Sequence, residues 1–299
     1  MTNQIFRIAL SAVGISMMVA SVSPAAFVPY ESTKHVNKRV TNRPANVLGR
    51  VPIVMYHAIG QKEKYMVRSF DNFRGDLEKF YKMGFRPVTL AEYVDGKFNI
   101  PSGASPIVLT FDDSRESQFR LTKDNKPTSD CFVGVWQEFA KKHPDFPVKG
   151  TFFILPNGPF GKKAAGKIKV KALLSWGCEL ASHTYNHRFL NKLSDAEVMR
   201  ELAISKDWLV SLGAKPRTLA LPFGVNPKNK ELLKGFNYKG KFYKYEAVCM
   251  AGDTPARSPL DEKVNFLHLP RIEASPAGDG LDVWLERIKS GKVKPYVVP

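Results

Sequence analysis

Cysteine is scarce: Cys131, Cys178 and Cys249 are the three in 299 residues, and none stands in a CxxC pair. A disulfide-built scaffold is therefore excluded. Negative charge is in deficit too, with 28 Asp+Glu against 45 Lys+Arg, a formal net charge of +17. A field of that sign draws polyanionic partners, whether nucleic acid, anionic lipid or an acidic envelope polymer, and says nothing about fold. There is no internal repeat, and no apolar run reaches the roughly 20 residues that a comfortable membrane span requires. Hydrophobic residues (43%) and charged residues (24%) sit near the globular average, which excludes wholesale disorder and collagen-like repeats. The length suits one large α/β domain, or a compact domain with an extra segment.

The amino terminus carries that extra segment. Arg7 precedes the apolar run Ile8–Ala20, and the small-residue stretch Ser21-Val22-Ser23-Pro24-Ala25-Ala26 follows. Basic head, short apolar core and small-x-small site predict a signal peptide over residues 1–25; a buried amino-terminal helix is the alternative. No lipobox cysteine follows the small-residue stretch, so the mature chain is expected to be soluble, without a transmembrane anchor, in the periplasm or the extracellular envelope. Export argues against a nucleic-acid partner. Residues 26–50 (Lys34, His35, Lys38, Arg39, Arg43) have no hydrophobic period and read as a basic flexible leader or a surface-hugging arm.

Regular structure is expected from Val51. Short apolar runs predict buried strands at Val51–Tyr56, Pro106–Phe111, Gly150–Leu155, Glu179–Ser182, Thr218–Leu221, Glu246–Met250 and Asn265–Leu267. Phe70, Phe73, Leu77 and Phe80 recur at helical spacing. A second helix runs from Asp195 to Leu212, with Ser194 and Glu197 spaced for a capping box. The basic stretch Gly161–Lys171 reads as a solvated helix or loop. Strands alternating with helices imply βαβ units and a mostly parallel sheet, open or closed into a barrel, with no domain break after Val51.

Residues suited to catalysis gather just past the predicted strands: Asp112-Asp113, then His183 and His187, then Pro222-Phe223-Gly224. In parallel α/β folds the site lies at the carboxyl ends of the strands, so three separate strands point to one place. One carboxylate with two imidazoles makes a three-point site for a divalent cation, with positions left for water. The spacing of four predicts both histidines on one side of a helical turn. Neighbouring aspartates leaving a strand point different ways, so one can ligate while the other stays free as a base.

Thr110-Phe111-Asp112-Asp113, His183-Thr184-Tyr185-Asn186-His187 and Leu221-Pro222-Phe223-Gly224 together resemble the first three motifs of the polysaccharide deacetylases, the NodB-homology or carbohydrate esterase family four proteins. Met55-Tyr56-His57, the Phe70–Gly84 helix and Leu267–Ile272 resemble in particular the branch that deacetylates poly-N-acetylglucosamine. The resemblance implies a distorted (β/α) barrel over residues 51–299 and metal-dependent removal of acetyl groups from a glycan, peptidoglycan or poly-N-acetylglucosamine. It implies that Asp113, His183 and His187 hold the metal, usually zinc, and that Asp112 is the general base. The main-chain N–H of Phe223, beside Pro222, would bind the oxyanion.

Two departures follow. Ser114 stands where the family often has Gly. The motif-three arginine would fall near Ala220 and is absent; Arg271, from the last strand, is the candidate to supply that charge. His268 is the candidate general acid, although strand alternation would put it on the opposite face from Arg271 unless Pro270 bends the chain. His57 either lines the cleft or is a hydrogen-bonded core residue. Asp253 and Arg257 are candidates to border the site, and Cys178 reads as a buried free thiol. Trp136, Phe160, Trp176 and Tyr185 either stack on sugar rings or pack in the core.

Overall fold

A computed structural model describes residues 40–299 except 162, 253 and 277. The expected signal peptide, residues 26–39 of the leader, and Asp253 lie outside the described residues. The strands are β1 (Ile53–Tyr56), β2 (Ala58–Gly60), β3 (Val67–Ser69), β4 (Phe85–Val88), β5 (Ser105–Phe111), β6 (Thr151–Ile154), β7 (Glu179–Ser182), β8 (Thr218–Ala220), β9 (Phe236–Tyr238), β10 (Lys241–Tyr243), β11 (Ala247–Cys249) and β12 (Ile272–Glu273). The helices are α1 (Phe70–Lys82), α2 (Leu90–Asp95), α3 (Phe132–Lys142), α4 (Lys163–Ser175), α5 (Asp195–Ser211) and α6 (Leu281–Lys289). Among the described residues no helix is long and apolar enough to cross a membrane.

The main sheet has eight strands in the order β11-β8-β7-β6-β5-β1-β12, with β4 paired to the first half of β5. Its pairings are parallel. β6 takes over beside β5 at Thr110 and Phe111. The sheet curls into a distorted half-barrel. Leu269 bridges to Cys249 of β11 while Ile272 pairs with Val54 of β1, so one short segment touches both ends of the strand order.

Period-two alternation explains the layers. Ile53, Val108, Phe153, Ala181, Ala220 and Cys249 belong to one buried cluster; their chain neighbours Val54, Leu109, Phe152 and Leu180 belong to another that includes helical residues such as Phe73, Leu77, Phe80 and Trp136. Strands covered on both faces are apolar throughout, which is why short unbroken apolar runs were readable as strands. α1 starts where the Ser69 side chain accepts from the Asn72 N–H, and α5 starts with the expected Ser194–Glu197 capping box.

The predicted strand at Asn265–Leu267 is a single 3-10 turn, Phe266–His268. Asn265 is the reason: its side chain accepts from the Leu267 N–H and its carbonyl from the His268 N–H, a local alternative to the sheet. Residues 40–50 of the expected leader are bound to the body. Asn46 bridges to Val297 and Arg50 to Pro295, while Arg43 donates to the Met83 carbonyl. In the stretch 161–171, Lys167 and Lys171 on α4 are exposed, whereas Lys169 is buried and donates to the Phe160 carbonyl.

At the amino-terminal ends of the strands one carboxylate does most of the joining. Glu179, the first residue of β7, accepts from Thr151 of β6, Thr218 of β8 and the Ala91 N–H at the start of α2. Arg257 belongs to this end: its neighbour Ala256 pairs with Val51, and its carbonyl accepts from Tyr93. It does not border the cluster at the other end.

Candidate active site

The site forms where β1, β5, β7 and β8 end. Tyr56 pairs with Phe111, so the next residues, His57 and Asp112, leave adjacent strands side by side; the Asp112 N–H still donates to the Tyr56 carbonyl at 2.9 Å. Asp113 and Ser114 then both adopt left-handed backbone, with φ of 71° and 45°. Both neighbouring carboxylates still reach His183, Asp112 Oδ2 at 4.0 Å and Asp113 Oδ1 at 3.4 Å from its Nε2. Ser114 holds the turn by accepting from the Leu155 N–H on its hydroxyl (3.1 Å) and from the Phe160 N–H on its carbonyl (2.6 Å).

His183 and His187 do not share a helical turn. The segment between them is a loop in which Thr184 (φ 67°) and His187 (φ 54°) are both left-handed. The Thr184 hydroxyl accepts from the His187 N–H, and the buried Glu201 of α5 accepts from the Tyr185 and Asn186 N–H groups and the Asn186 amide. Side-chain acceptors thus replace a helical ladder and swing His187 back beside His183, with ring centroids 4.7 Å apart.

Asp113, His183 and His187 each offer one ligand atom, and these atoms lie within 4.8 Å of one another. His183 Nε2 and His187 Nε2 stand 3.4 and 3.3 Å from Asp113 Oδ1. His183 Nδ1 lies 2.9 Å from the Ala220 carbonyl, which can only accept, so Nδ1 carries the proton and Nε2 is left with a lone pair for a cation. The other Asp113 oxygen accepts from Arg115 Nε at 2.9 Å. This donor set, two imidazoles and a carboxylate converging at bonding range, fits a divalent cation.

Asp112 stands beside this set, its Oδ2 4.0 Å from His183 Nε2. Arg271 Nη1 and Nη2 donate to its two oxygens, each at 2.7 Å, and the guanidinium is fixed further by the Met250 carbonyl and the Thr110 hydroxyl. Arg271 is 1% exposed. Gly252 lets it in: any side chain there would strike the Arg271 main chain, 2.1 Å from where a Cβ would stand. Burial pushes the Asp112 carboxyl up, but the Arg271 charge and hydrogen bonds and the nearby His183 outweigh it, so its pKa is lowered. Asp113 is held well below the ordinary carboxylate range; burial again opposes, and His183 and Arg115 win.

His57 joins this group. It is almost fully buried, and burial lowers its pKa against the pull of Asp112 and Asp113. His268 does not join: it is exposed on the 3-10 turn and, among the described residues, has no hydrogen bond or ion pair with the site. The turn releases Arg271 from strand alternation, so the guanidinium points in while His268 stays outside.

Pro222 is buried, and Phe223, at φ 58°, carries its ring out to 49% exposure. That ring lies 4.6 Å from His187 and stacks on Phe189, 40% exposed, at 3.8 Å and 8°. Phe189 is the aromatic that pattern reading missed, because a lone Phe in a polar loop carries no periodic signal. Of the aromatics singled out from the sequence, Trp136 and Phe160 are core residues, Trp176 packs against the core, and Tyr185 is half-buried with Arg200 over its ring. Cys178 is buried, its thiol pushed up to about 12 by burial.

Comparison with known proteins agrees with this geometry. A Bacillus subtilis (strain 168) protein, YxkH, provisionally named a polysaccharide deacetylase, is 21% identical over 257 residues, covering 83% of this chain and 79% of its own. Among solved structures, the Streptococcus pyogenes deacetylase PplD, in complex with acetate, has a TM-score of 0.55 at 21% identity, covering 77% of this chain and 94% of that one. BC0361, a polysaccharide deacetylase from Bacillus cereus, gives 0.58 at 20% identity, covering 81% and 69%. At these identities the structural likeness is one of fold. The sequence family described as polysaccharide deacetylase matches residues 99–240, a stretch that contains Asp112, Asp113, His183, His187 and Phe223. Over residues 99–240 the chain is thus similar to the polysaccharide deacetylase family.

Proposed function

We propose that the protein is an exported, metal-dependent N-deacetylase of an N-acetylglucosamine-containing glycan. The observation that carries the reading is the convergence of Asp113, His183 and His187 within 4.8 Å, beside an Asp112 carboxylate gripped by Arg271. A divalent cation held by those three residues, zinc by the family resemblance, would polarise the acetyl carbonyl and lower the pKa of water from about 15.7 towards roughly 7–9.

The chain's own groups supply the rest. Asp112 takes a proton from the attacking water as its oxygen bonds to the carbonyl carbon, and Arg271 keeps the base ionised and oriented. The Phe223 main-chain N–H, with Pro222 fixing the turn, stabilises the oxyanion; one such donor is typically worth about 3–4 kcal/mol of barrier. When the C–N bond breaks, the leaving nitrogen needs a proton. We assign that donation to His57 rather than His268, because His57 leaves β1 beside Asp112 and, neutral at the outset, can take up the proton that Asp112 drew from the water and pass it to the nitrogen. The products are acetate and a free amine on the sugar. The exposed Phe189–Phe223 pair offers the apolar wall that sugar rings favour.

Peptidoglycan is the first substrate we propose, because its peptide carboxylates suit a chain of net charge +17. Poly-N-acetylglucosamine is the second, supported by the resemblance of Met55-Tyr56-His57 to the branch that deacetylates it. The test is acetate release by the mature chain, zinc-loaded and metal-stripped, from peptidoglycan, poly-N-acetylglucosamine and chitin oligomers in parallel. Metal-dependent release is expected, with Asp112→Asn and His57→Ala each lowering kcat by about 10²–10⁴-fold and His268→Ala leaving it near wild type. Protein that binds zinc yet releases no acetate from any of the three sinks the reading.

A further inference from the structure

Past the Tyr56–Phe111 pair the ladder between β1 and β5 gives out, and the last main-chain bond across it is from the Asp112 N–H to the Tyr56 carbonyl. The two residues beyond, His57 and Asp112, must nevertheless keep a fixed separation. One side chain spans them. Gln118 is fully buried, and its Nε2 donates to the His57 carbonyl at 2.7 Å and also to the Asp112 carbonyl. Both amide protons are thereby used on the two residues that carry the proposed proton transfers.

The loop that presents Gln118 is itself pinned. Gln118 N–H donates to the Arg115 carbonyl, and the neighbouring Ser117 hydroxyl accepts from the Ile59 N–H on β2. Meanwhile Gln118 Oε1 is buried with no partner among the described residues. A leucine would fill the same space without burying an unpaired acceptor, but it has nothing to donate. The two N–H donors are what the position requires.

We infer that Gln118 is a positioning residue for the deacetylation step: its amide replaces the missing rung of the sheet and sets His57 and Asp112 at the spacing that proton transfer requires. This rests on the deacetylase reading above. It touches neither the metal ligands nor the exposed aromatic wall, so its loss should strike turnover and spare binding.

Gln118→Leu and Gln118→Met, which roughly keep the volume but have no side-chain N–H to donate, are compared with wild type. The readouts are kcat and KM for acetate release from whichever of peptidoglycan, poly-N-acetylglucosamine and chitin oligomers wild type deacetylates fastest, Zn²⁺ affinity by titration calorimetry, and thermal unfolding. Both variants should lose kcat by about 10–100-fold, with KM and Zn²⁺ affinity at wild-type values. Unchanged kcat overturns the inference. So does a kcat loss that merely follows lost Zn²⁺ binding, or the absence of cooperative unfolding in both variants, since either makes Gln118 a residue of the fold alone. Wild type that releases no acetate from peptidoglycan, poly-N-acetylglucosamine or chitin oligomers is a separate result, visible before any variant is made; it removes the deacetylase reading and the positioning role with it.

Discussion

Ser114 shows how one residue adapts a turn that glycine would make more easily. Its left-handed backbone carries strain that a Cβ aggravates, and its hydroxyl offsets this by accepting from the Leu155 N–H. Ser114→Ala keeps the strain and loses the bond, so it should destabilise by about 1–2 kcal/mol, whereas Ser114→Gly loses the bond but relieves the strain and should fall between. Urea denaturation of the three proteins ranks them; alanine equal to or above glycine would refute the account. Glu179 makes a pH-dependent case. Burial raises its pKa, outweighing three hydrogen bonds. The protonated form therefore favours the fold, and stability is lost as pH rises from the ordinary glutamate value, about 4.3, through the raised one. Glu179→Gln should lack that slope, which denaturation at a series of pH values measures. Residues of this kind differ in how openly the sequence announces them. Asp112-Asp113 and the paired histidines were legible because chemistry clustered at predicted strand ends. Gln118 was not: a side chain that grips two carbonyls leaves no pattern of spacing or composition. Arg271 was legible through the family resemblance, as the charge that would hold the base in place of the absent motif-three arginine, and His57 stayed open between cleft and core until its strand was paired with β5.

Among the elements, the strands read almost directly, since short apolar runs buried on both faces admit few other structures. The loop from Thr184 to His187 did not, because a spacing of four looks helical whether or not the backbone is. What decides its shape is distant in sequence: Glu201, on the next helix, collects its N–H groups. Glu201→Ala should free the loop and weaken Zn²⁺ binding by about 10–100-fold while the rest of the fold unfolds near its usual temperature. Calorimetric titration tests this, and unaltered Zn²⁺ affinity would show that Thr184 alone suffices. Similarly, the turn at Phe266–His268 escaped the reading because Asn265 caps it locally, and the same turn determines which of His268 and Arg271 faces inward.

For the molecule as a whole, charge and topology matter most. With a net charge of +17, association with a carboxylate-bearing glycan should weaken as salt rises and the Debye length falls from about 10 Å at 0.1 M to about 3 Å at 1 M. KM for peptidoglycan is expected to climb with ionic strength while KM for neutral chitin oligomers stays level; parallel titrations with sodium chloride decide it. Equal salt dependence on both would remove the argument that favours the acidic polymer. The topology has another effect. Arg271 reaches Asp112 across 159 residues of sequence, on the segment that also touches both edges of the curled sheet. A chain cut before Arg271, or folded in every strand but the last, would possess the metal ligands and yet leave Asp112 without its guanidinium. Turnover is thus a proof of completion: the reaction reports that the final strand has arrived.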